Sequence, residues 1–304
     1  MNKVVAIGLP QAMLEALGRR ITLQAPDDGI DAQATVLIAR GQPVSAATLK
    51  RLPALKLVVA VGSGYDHVDA GLLREHGILL ANSPGNTAIC VADLAMGLLL
   101  ALVRGVARAD RFVRQGQWEA GPFTACPRFS GRRLGILGMG AIGGAIARRA
   151  AGFDLEVGYS NRRPRTATGH RYFAEPKALA EWSDYLVVAC PATAATRHLV
   201  DRPMLEALGA RGYLVNISRG QVVDEPALIH ALSSGVIAGA ALDVFEDEPH
   251  VPEALREMEN VVLTAHIAGR TTEGGADILE DIVAQVQAFL ATGAPRTTID
   301  LAAA

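Results

Sequence analysis

The chain has 304 residues, 50% hydrophobic and 20% charged, with a formal net charge of −2. That length accommodates about two domains with sizeable cores, and near-neutrality leaves no electrostatic footprint for nucleic acid or an anionic membrane. Cys90, Cys126 and Cys190 are too few and too scattered for a disulfide framework or a metal site, so a reducing cytoplasm is the expected setting and no metal is expected.

The N-terminal apolar run, Val4 to Ile7, is too short for a signal peptide. Short β-branched runs then alternate with amphipathic ones. Strands are predicted at Val4–Gly8, Thr35–Ala39, Leu57–Val61 and Ile78–Ala81. A long helical stretch over Thr87–Arg114 follows, then a turn-rich segment from Gly116 to Gly131. Its longest apolar run, Leu94 to Val103, is about half of what a membrane span needs. A second series has strands at Leu134–Leu137, Glu156–Tyr159, Tyr185–Ala189, Tyr213–Ile217, Ala240–Val244 and Val261–Thr264. Helical patterns include Gln11–Arg20, Ala141–Ala151, Lys177–Trp182 and Glu225–Ser233, and a long amphipathic pattern, Gly274–Leu290, comes last. Nearly all-apolar strands suit a parallel sheet buried on both faces, and strand–helix alternation predicts an α/β fold of right-handed crossovers. Two Rossmann-like domains are expected. A flavodoxin-like substrate domain is made of 1–98 and 282–304, a dinucleotide-binding domain of 99–281 is inserted into it, and a cleft lies between them.

Gly138-Met139-Gly140-Ala141-Ile142-Gly143 matches G-x-G-x-x-G, follows a predicted strand and opens a predicted helix. The first glycine allows the tight turn, the second lets backbone approach a pyrophosphate, and the third permits close helix–strand packing. The helix N-terminus adds free N–H groups and a positive dipole end. About twenty residues on, where an NAD site places a carboxylate, the chain reads Ser160-Asn161-Arg162-Arg163-Pro164-Arg165. Guanidinium groups without an acid suit a 2′-phosphate, so NADP(H) is expected over NAD(H).

Ligands of an open α/β sheet bind beyond the carboxyl ends of its strands. Three such ends carry Arg219, the acidic run Glu246-Asp247-Glu248, and His266. Reducing a ketone by hydride needs a proton donor, for which imidazole is well tuned. A carboxylate beside it would orient the ring and favour imidazolium, and an arginine would grip a substrate carboxylate in bidentate fashion. The other six histidines, His198 among them, lack such framing.

The chain resembles the D-isomer-specific 2-hydroxyacid dehydrogenase family over nearly its whole length. Beyond the glycine fingerprint, the segments that carry the resemblance are Val61–Asp69, Asn82-Ser83-Pro84-Gly85-Asn86-Thr87, Val91–Ala95, Val215–Gly220, Leu242–Pro249 and Thr264-Ala265-His266. The resemblance implies that Arg219 binds substrate, Glu248 partners the histidine and His266 is the acid/base. It puts the substrate carboxylate on Gly62, Ser63 and Gly64. It adds Cys190, Pro191, Thr196, Ile217, Ser218, Arg219, Asp243, His266 and Gly269 to the cofactor contacts, alongside the fingerprint and Ser160, Asn161, Arg162 and Arg163. Arg270 is a further candidate anion contact. Ala265 stands where family members commonly have proline, and Ser63 where valine is frequent, which bears on substrate preference.

Within the family, the Arg-rich strand end and Val188-Ala189-Cys190-Pro191 look most like NADPH-dependent glyoxylate/hydroxypyruvate reductases. The alternatives are a hydroxyphenylpyruvate or 2-ketogluconate type of reductase, or a non-catalytic dinucleotide-sensing co-regulator on the same scaffold. A small 2-oxo or 2-hydroxy acid is the expected partner, with no nucleic acid and no membrane. A homodimer is expected through the long helix, whose Leu94, Leu98, Leu99, Leu102 and Val103 form a broad apolar face.

Overall fold

The computed structural model describes residues 3–24, 32–83, 87–165 and 168–301. In chain order the elements are β1 (Lys3–Ile7), α1 (Gln11–Gly18), β2 (Ala34–Ala39), α2 (Ala46–Arg51), β3 (Leu57–Ala60), α3 (Ala70–Glu75), β4 (Leu79–Asn82), α4 (Thr87–Val103), α5 (Val106–Arg114), β5 (Arg133–Leu137), α6 (Ala141–Ala150), β6 (Glu156–Ser160), β7 (Arg171–Phe173), α7 (Pro176–Trp182), β8 (Tyr185–Val188), α8 (Arg202–Leu208), β9 (Tyr213–Asn216), α9 (Glu225–Ser233), β10 (Gly239–Leu242), α10 (Glu253–Glu257), β11 (Val261–Leu263) and α11 (Thr272–Thr292). Helix starts are set by local chemistry. Asp69, Asp201, Asp224 and Thr271 each accept a backbone N–H from the first turn of α3, α8, α9 and α11.

Two compact units divide the chain, Met1–Thr87 with Thr271–Ala304, and Ala88–Arg270. The divisions fall at 87/88 and 270/271, where 98/99 and 281/282 were expected. Both move for the same reason, since all of α4 but Thr87 lies in the second unit and all of α11 in the first. Residues Val91 to Val103 of α4 pack into the core of the second unit around Leu134, Ile136, Tyr185 and Val215, while α11 puts Ile282, Val283, Val286 and Phe289 into that of the first.

The first unit holds a four-stranded parallel sheet of order β1-β2-β3-β4, with β3 buried throughout and β2 buried except at Thr35. The second holds a seven-stranded parallel sheet of order β11-β10-β9-β8-β5-β6-β7, with β5 at the reversal between β6 and β8. That reversal is the switch point at which doubly wound sheets bind ligands.

Three features depart from the sequence-based expectation. The helix over 87–114 is two helices bent by 60°. Gly105, at φ +63, takes a left-handed conformation that ends the first and starts the second. The face Leu98, Leu99, Leu102 and Val103 is buried in its own unit rather than offered to a partner. β7 is a strand that the apolar pattern does not announce, because its three residues, Arg-Tyr-Phe, are only partly buried at the edge of the sheet. Among the described residues, no single helix is long and apolar enough to cross a membrane.

Candidate active site

The second unit brings three of the sequence-predicted loops to one rim. β9, β10 and β11 are adjacent and parallel, with Asn216, Leu242 and Leu263 in register at their carboxyl ends. Beyond β9, buried Asn216 closes a turn on itself. Its Nδ2 donates to the Arg219 carbonyl (3.0 Å), and its Oδ1 accepts the Ser218 N–H (3.1 Å) and hydroxyl (3.0 Å). Arg219 stands at the tip and donates from Nη1 to the Ser218 carbonyl (2.8 Å). Gly220 has no room for a Cβ, because the Phe245 and Glu246 backbone lies against it, so the loops after β9 and β10 touch through main chain.

Glu248 and His266 meet directly, Oε2 to Nδ1 at 2.7 Å. A carboxylate only accepts, so Nδ1 carries the proton and Nε2 is left to exchange one with a ligand. The other carboxylate oxygen accepts the Phe245 N–H (3.2 Å). The side chains are 42% and 33% exposed, so solvent screens their attraction and the contact serves orientation more than stability.

His266 has φ +50, a left-handed backbone that costs an L-residue about 1–2 kcal/mol. Asp243, fully buried, holds it there. Its Oδ1 accepts the Thr264 hydroxyl (2.6 Å) and the Ile267 N–H (2.9 Å), and its Oδ2 accepts the Ala268 N–H (3.0 Å). The His266 N–H donates to the Asp243 carbonyl (2.8 Å). Asp243 was expected among the cofactor contacts; its carboxylate is taken up by the turn that carries His266. Beyond it, the Arg270 N–H closes on the Ile267 carbonyl (2.8 Å), with Gly269 half-buried and the Arg270 side chain exposed.

The glycine loop leaves room for a dinucleotide at one position and for nothing at two others. At Gly138 (φ +98) a Cβ would lie 2.6 Å from the Cys190 nitrogen, and at Gly143 it would strike the Gly138 carbonyl. At Gly140 it would enter open space. Gly140 is the N-cap of α6, and no side chain caps the helix. An open cradle at an uncapped helix start, with Gly140 and Ala141 exposed and Ile142 half-buried, fits a pyrophosphate. Met139 is buried beneath it, and both its backbone groups are used. Its N–H donates to Asn161 Oδ1 (2.8 Å), and its carbonyl accepts Arg165 Nη1 (2.6 Å). The basic segment is thereby docked on the cradle, with Ser160 buried and Arg162 and Arg163 exposed.

Other expected cofactor residues line the same switch point or fold inward. Burial pushes the Cys190 thiol up to about 11. Pro191 is exposed, and its carbonyl takes the Thr196 hydroxyl (2.7 Å), which closes their own loop. Ile217 is buried and Ser218 half-buried. Among the described residues, no group of three His, Cys, Asp or Glu could hold a metal ion. A cavity of about 110 Å³, lined in part by Leu102, Arg108, Tyr213 and Asn260, lies at the amino-terminal ends of β9–β11 and contains none of the candidate residues.

In the first unit, Gly62 has φ +94 and an open Cβ direction. The loop is held by its carbonyls. Gly62 accepts the Ser83 N–H (2.9 Å), and Ser63 accepts Asn82 Nδ2 (2.7 Å). Buried Gln285 of α11 braces Asn82 in turn, donating to its carbonyl (3.2 Å). Among the described residues, no hydrogen bond takes the N–H of Ser63 or Gly64, an arrangement able to receive a carboxylate. Pro84, Gly85 and Asn86 of the neighbouring motif lie outside the described residues. The bracing roles of Asn216 and Gln285 were missed in the sequence, where only their burial next to a loop would have marked them.

Residues 96–268 match the family model described as D-isomer specific 2-hydroxyacid dehydrogenase, NAD binding domain. A glyoxylate/hydroxypyruvate reductase of Arabidopsis thaliana is 46% identical over 243 residues, 80% of this chain and 78% of its own. A hydroxyphenylpyruvate reductase of Plectranthus scutellarioides is 42% identical over 253 residues, 83% of this chain and 80% of its own. Among solved structures, the NADPH-dependent glyoxylate/hydroxypyruvate reductase of Sinorhizobium meliloti, in complex with NADP and malonate, matches with a TM-score of 0.91 at 35% identity, covering 99% of this chain and 97% of that one.

Proposed function

Because the chain belongs to the D-isomer-specific 2-hydroxyacid dehydrogenase family, we propose that it reduces a small 2-oxo acid of the glyoxylate or hydroxypyruvate type to the D-2-hydroxy acid. The observation that carries this reading is the 2.7 Å contact of Glu248 with His266, built at strand ends of the same sheet that forms the glycine cradle. A bound nicotinamide supplies the hydride. His266 gives a proton from Nε2 to the carbonyl oxygen as C2 is reduced, and takes one back in the reverse direction. Glu248 keeps the ring in one tautomer and offsets the charge of imidazolium. Arg219 grips the substrate carboxylate and polarises the keto group beside it.

NADPH is the proposed reductant. Ser160, Asn161, Arg162 and Arg163 place no carboxylate where a 2′-phosphate would come, and Arg165 docks their segment on Met139. A homodimer is also proposed. Its support is α5, which has no buried residue and leaves Val106 and Val113 over half exposed, with Trp118 just beyond at 66%. Light scattering at micromolar concentration tests it, and a monomer mass rejects it.

The assay for the reaction is loss of nicotinamide absorbance with NADPH or NADH and glyoxylate, hydroxypyruvate, hydroxyphenylpyruvate or 2-ketogluconate. Turnover with the first two, faster with NADPH, is expected, and His266→Gln abolishes it while NADPH affinity holds. A folded protein inert toward every 2-oxo acid rejects the reading.

A further inference from the structure

Among the histidines without framing in the sequence, His198 is the exception in the fold. It has φ +50, a conformation that glycine adopts freely and a histidine only at a cost. Two contacts accompany it. The His198 N–H donates to the Gln221 carbonyl (2.9 Å), in the turn that follows Arg219. Its ring Nε2 meets Glu246 Oε1 at 2.8 Å, in the loop that carries Glu248. The two side chains are 33% and 26% exposed, so the contact is partly withdrawn from water.

The loop from Phe245 to Glu248 has no helix or strand of its own to hold it. Its fastenings are the buried Phe245 side chain, the bridge of Asp247 with His250, and the contacts around Glu246. The Glu246 N–H donates to Glu225 Oε2 (3.3 Å), the Gly220 backbone presses on Phe245 and Glu246, and the Glu246 carboxylate takes His198, with Arg197 farther off at 3.4 Å. Burial, and then the charges of Glu246 and Asp247, push the Glu225 carboxyl above its usual range, the mark of crowded carboxylates. Glu248 is bonded within the same loop, through the Phe245 N–H. Freeing Glu246 therefore removes one hold on the loop that aims Glu248 at His266.

We infer that His198 is a positioning residue, joining the segment of Arg219 to that of Glu248 through one backbone and one ring contact. The inference rests on the reductase reading for its kinetic consequence. The ring acts on Glu248 and through it on proton transfer, so its loss should fall on kcat. A misplacement of about an ångström in such a site costs up to roughly 100-fold in rate, and a loop that keeps its other fastenings should lose about tenfold.

His198→Gly is the direct test, since glycine keeps the left-handed backbone and the N–H while removing the ring. The expected result is a kcat about tenfold lower, with the substrate KM and NADPH affinity within about twofold of wild type. Glu246→Ala removes the other half of the contact and carries the same expectation, whether or not the glycine variant folds. In a Glu248→Gln background, His198→Gly should cost almost nothing more, because both act through one carboxylate. Wild-type kcat in both single variants, or an equal tenfold loss in the Glu248→Gln background, overturns the inference. A wild-type protein without turnover overturns the reductase reading instead. The His266–Glu248 proton then still decides the matter by NMR. Its downfield signal should broaden or vanish in His198→Gly, and an unchanged signal overturns the inference.

Discussion

Asp243→Asn alters one atom of a wholly buried side chain, and the structure sets the cost. With its oxygen at the Oδ1 position, asparagine keeps the bonds from the Thr264 hydroxyl and the Ile267 N–H, but turns Nδ2 toward the buried Ala268 N–H. One charge-assisted bond worth about 1.5–3 kcal/mol is lost, and a buried donor then faces another donor. The total is about 3 kcal/mol. A domain of 150–250 residues loses about 2–4 °C per kcal/mol, so the second unit should melt about 10 °C lower. The left-handed backbone of His266 is what Asp243 holds, so kcat should fall by more than about tenfold as well. Scanning calorimetry without cofactor isolates the packing effect from any contact of Asp243 with a ligand. A melting temperature within about 2 °C of wild type would refute the account of Asp243 as the brace of this turn.

The glycines of the cradle should separate by role. Gly140→Ala is expected to fold and melt like wild type and to lose NADPH affinity by about tenfold or more, measured by fluorescence titration, because its Cβ occupies only the open space. Gly143→Ala forces a Cβ into the Gly138 carbonyl, so the loss should appear in melting temperature and soluble yield; equal behaviour of the two variants would contradict the geometry. Cys190, buried and pushed up to about 11, should resist iodoacetamide at pH 8 until the protein is unfolded, while half-buried Cys90 and Cys126 react first, as mass spectrometry of the alkylated peptides would show. Because folding raises this thiol above its ordinary 9.0, its contribution to stability is complete below about pH 9 and fades as pH climbs toward 11. Cys190→Ala should therefore flatten the alkaline fall in melting temperature.

What could be read in the sequence follows the range of the interaction. The strands and the glycine cradle are written in a few neighbouring residues, and so is the alternation that makes the second sheet doubly wound. The bend at Gly105 is local too, yet a helical pattern tolerates an isolated glycine at a cost, and only its positive φ decides. β7 hides because an edge strand of three residues needs no apolar run. The His198–Glu246 contact joins residues 48 apart, each ordinary in its own segment. Asp243 sits in a motif that the family resemblance assigns to the cofactor, and nothing in its neighbours tells that three donors of the next loop converge on it.

The discontinuity of the first unit has a consequence for how the protein is made. Its sheet face waits for Ile282, Val283, Val286 and Phe289 of α11, some two hundred residues after β4. At about 5–20 residues per second, that face, to which Leu17 and Ile21 already contribute, lacks α11 for roughly 10–40 s while the ribosome works through the second unit. The second unit has every residue it needs once Arg270 has emerged. A nascent chain arrested soon afterwards would thus carry a finished second unit and a partly covered sheet rich in Val, Leu and Ile, and that sheet is where a chaperone would have work to do.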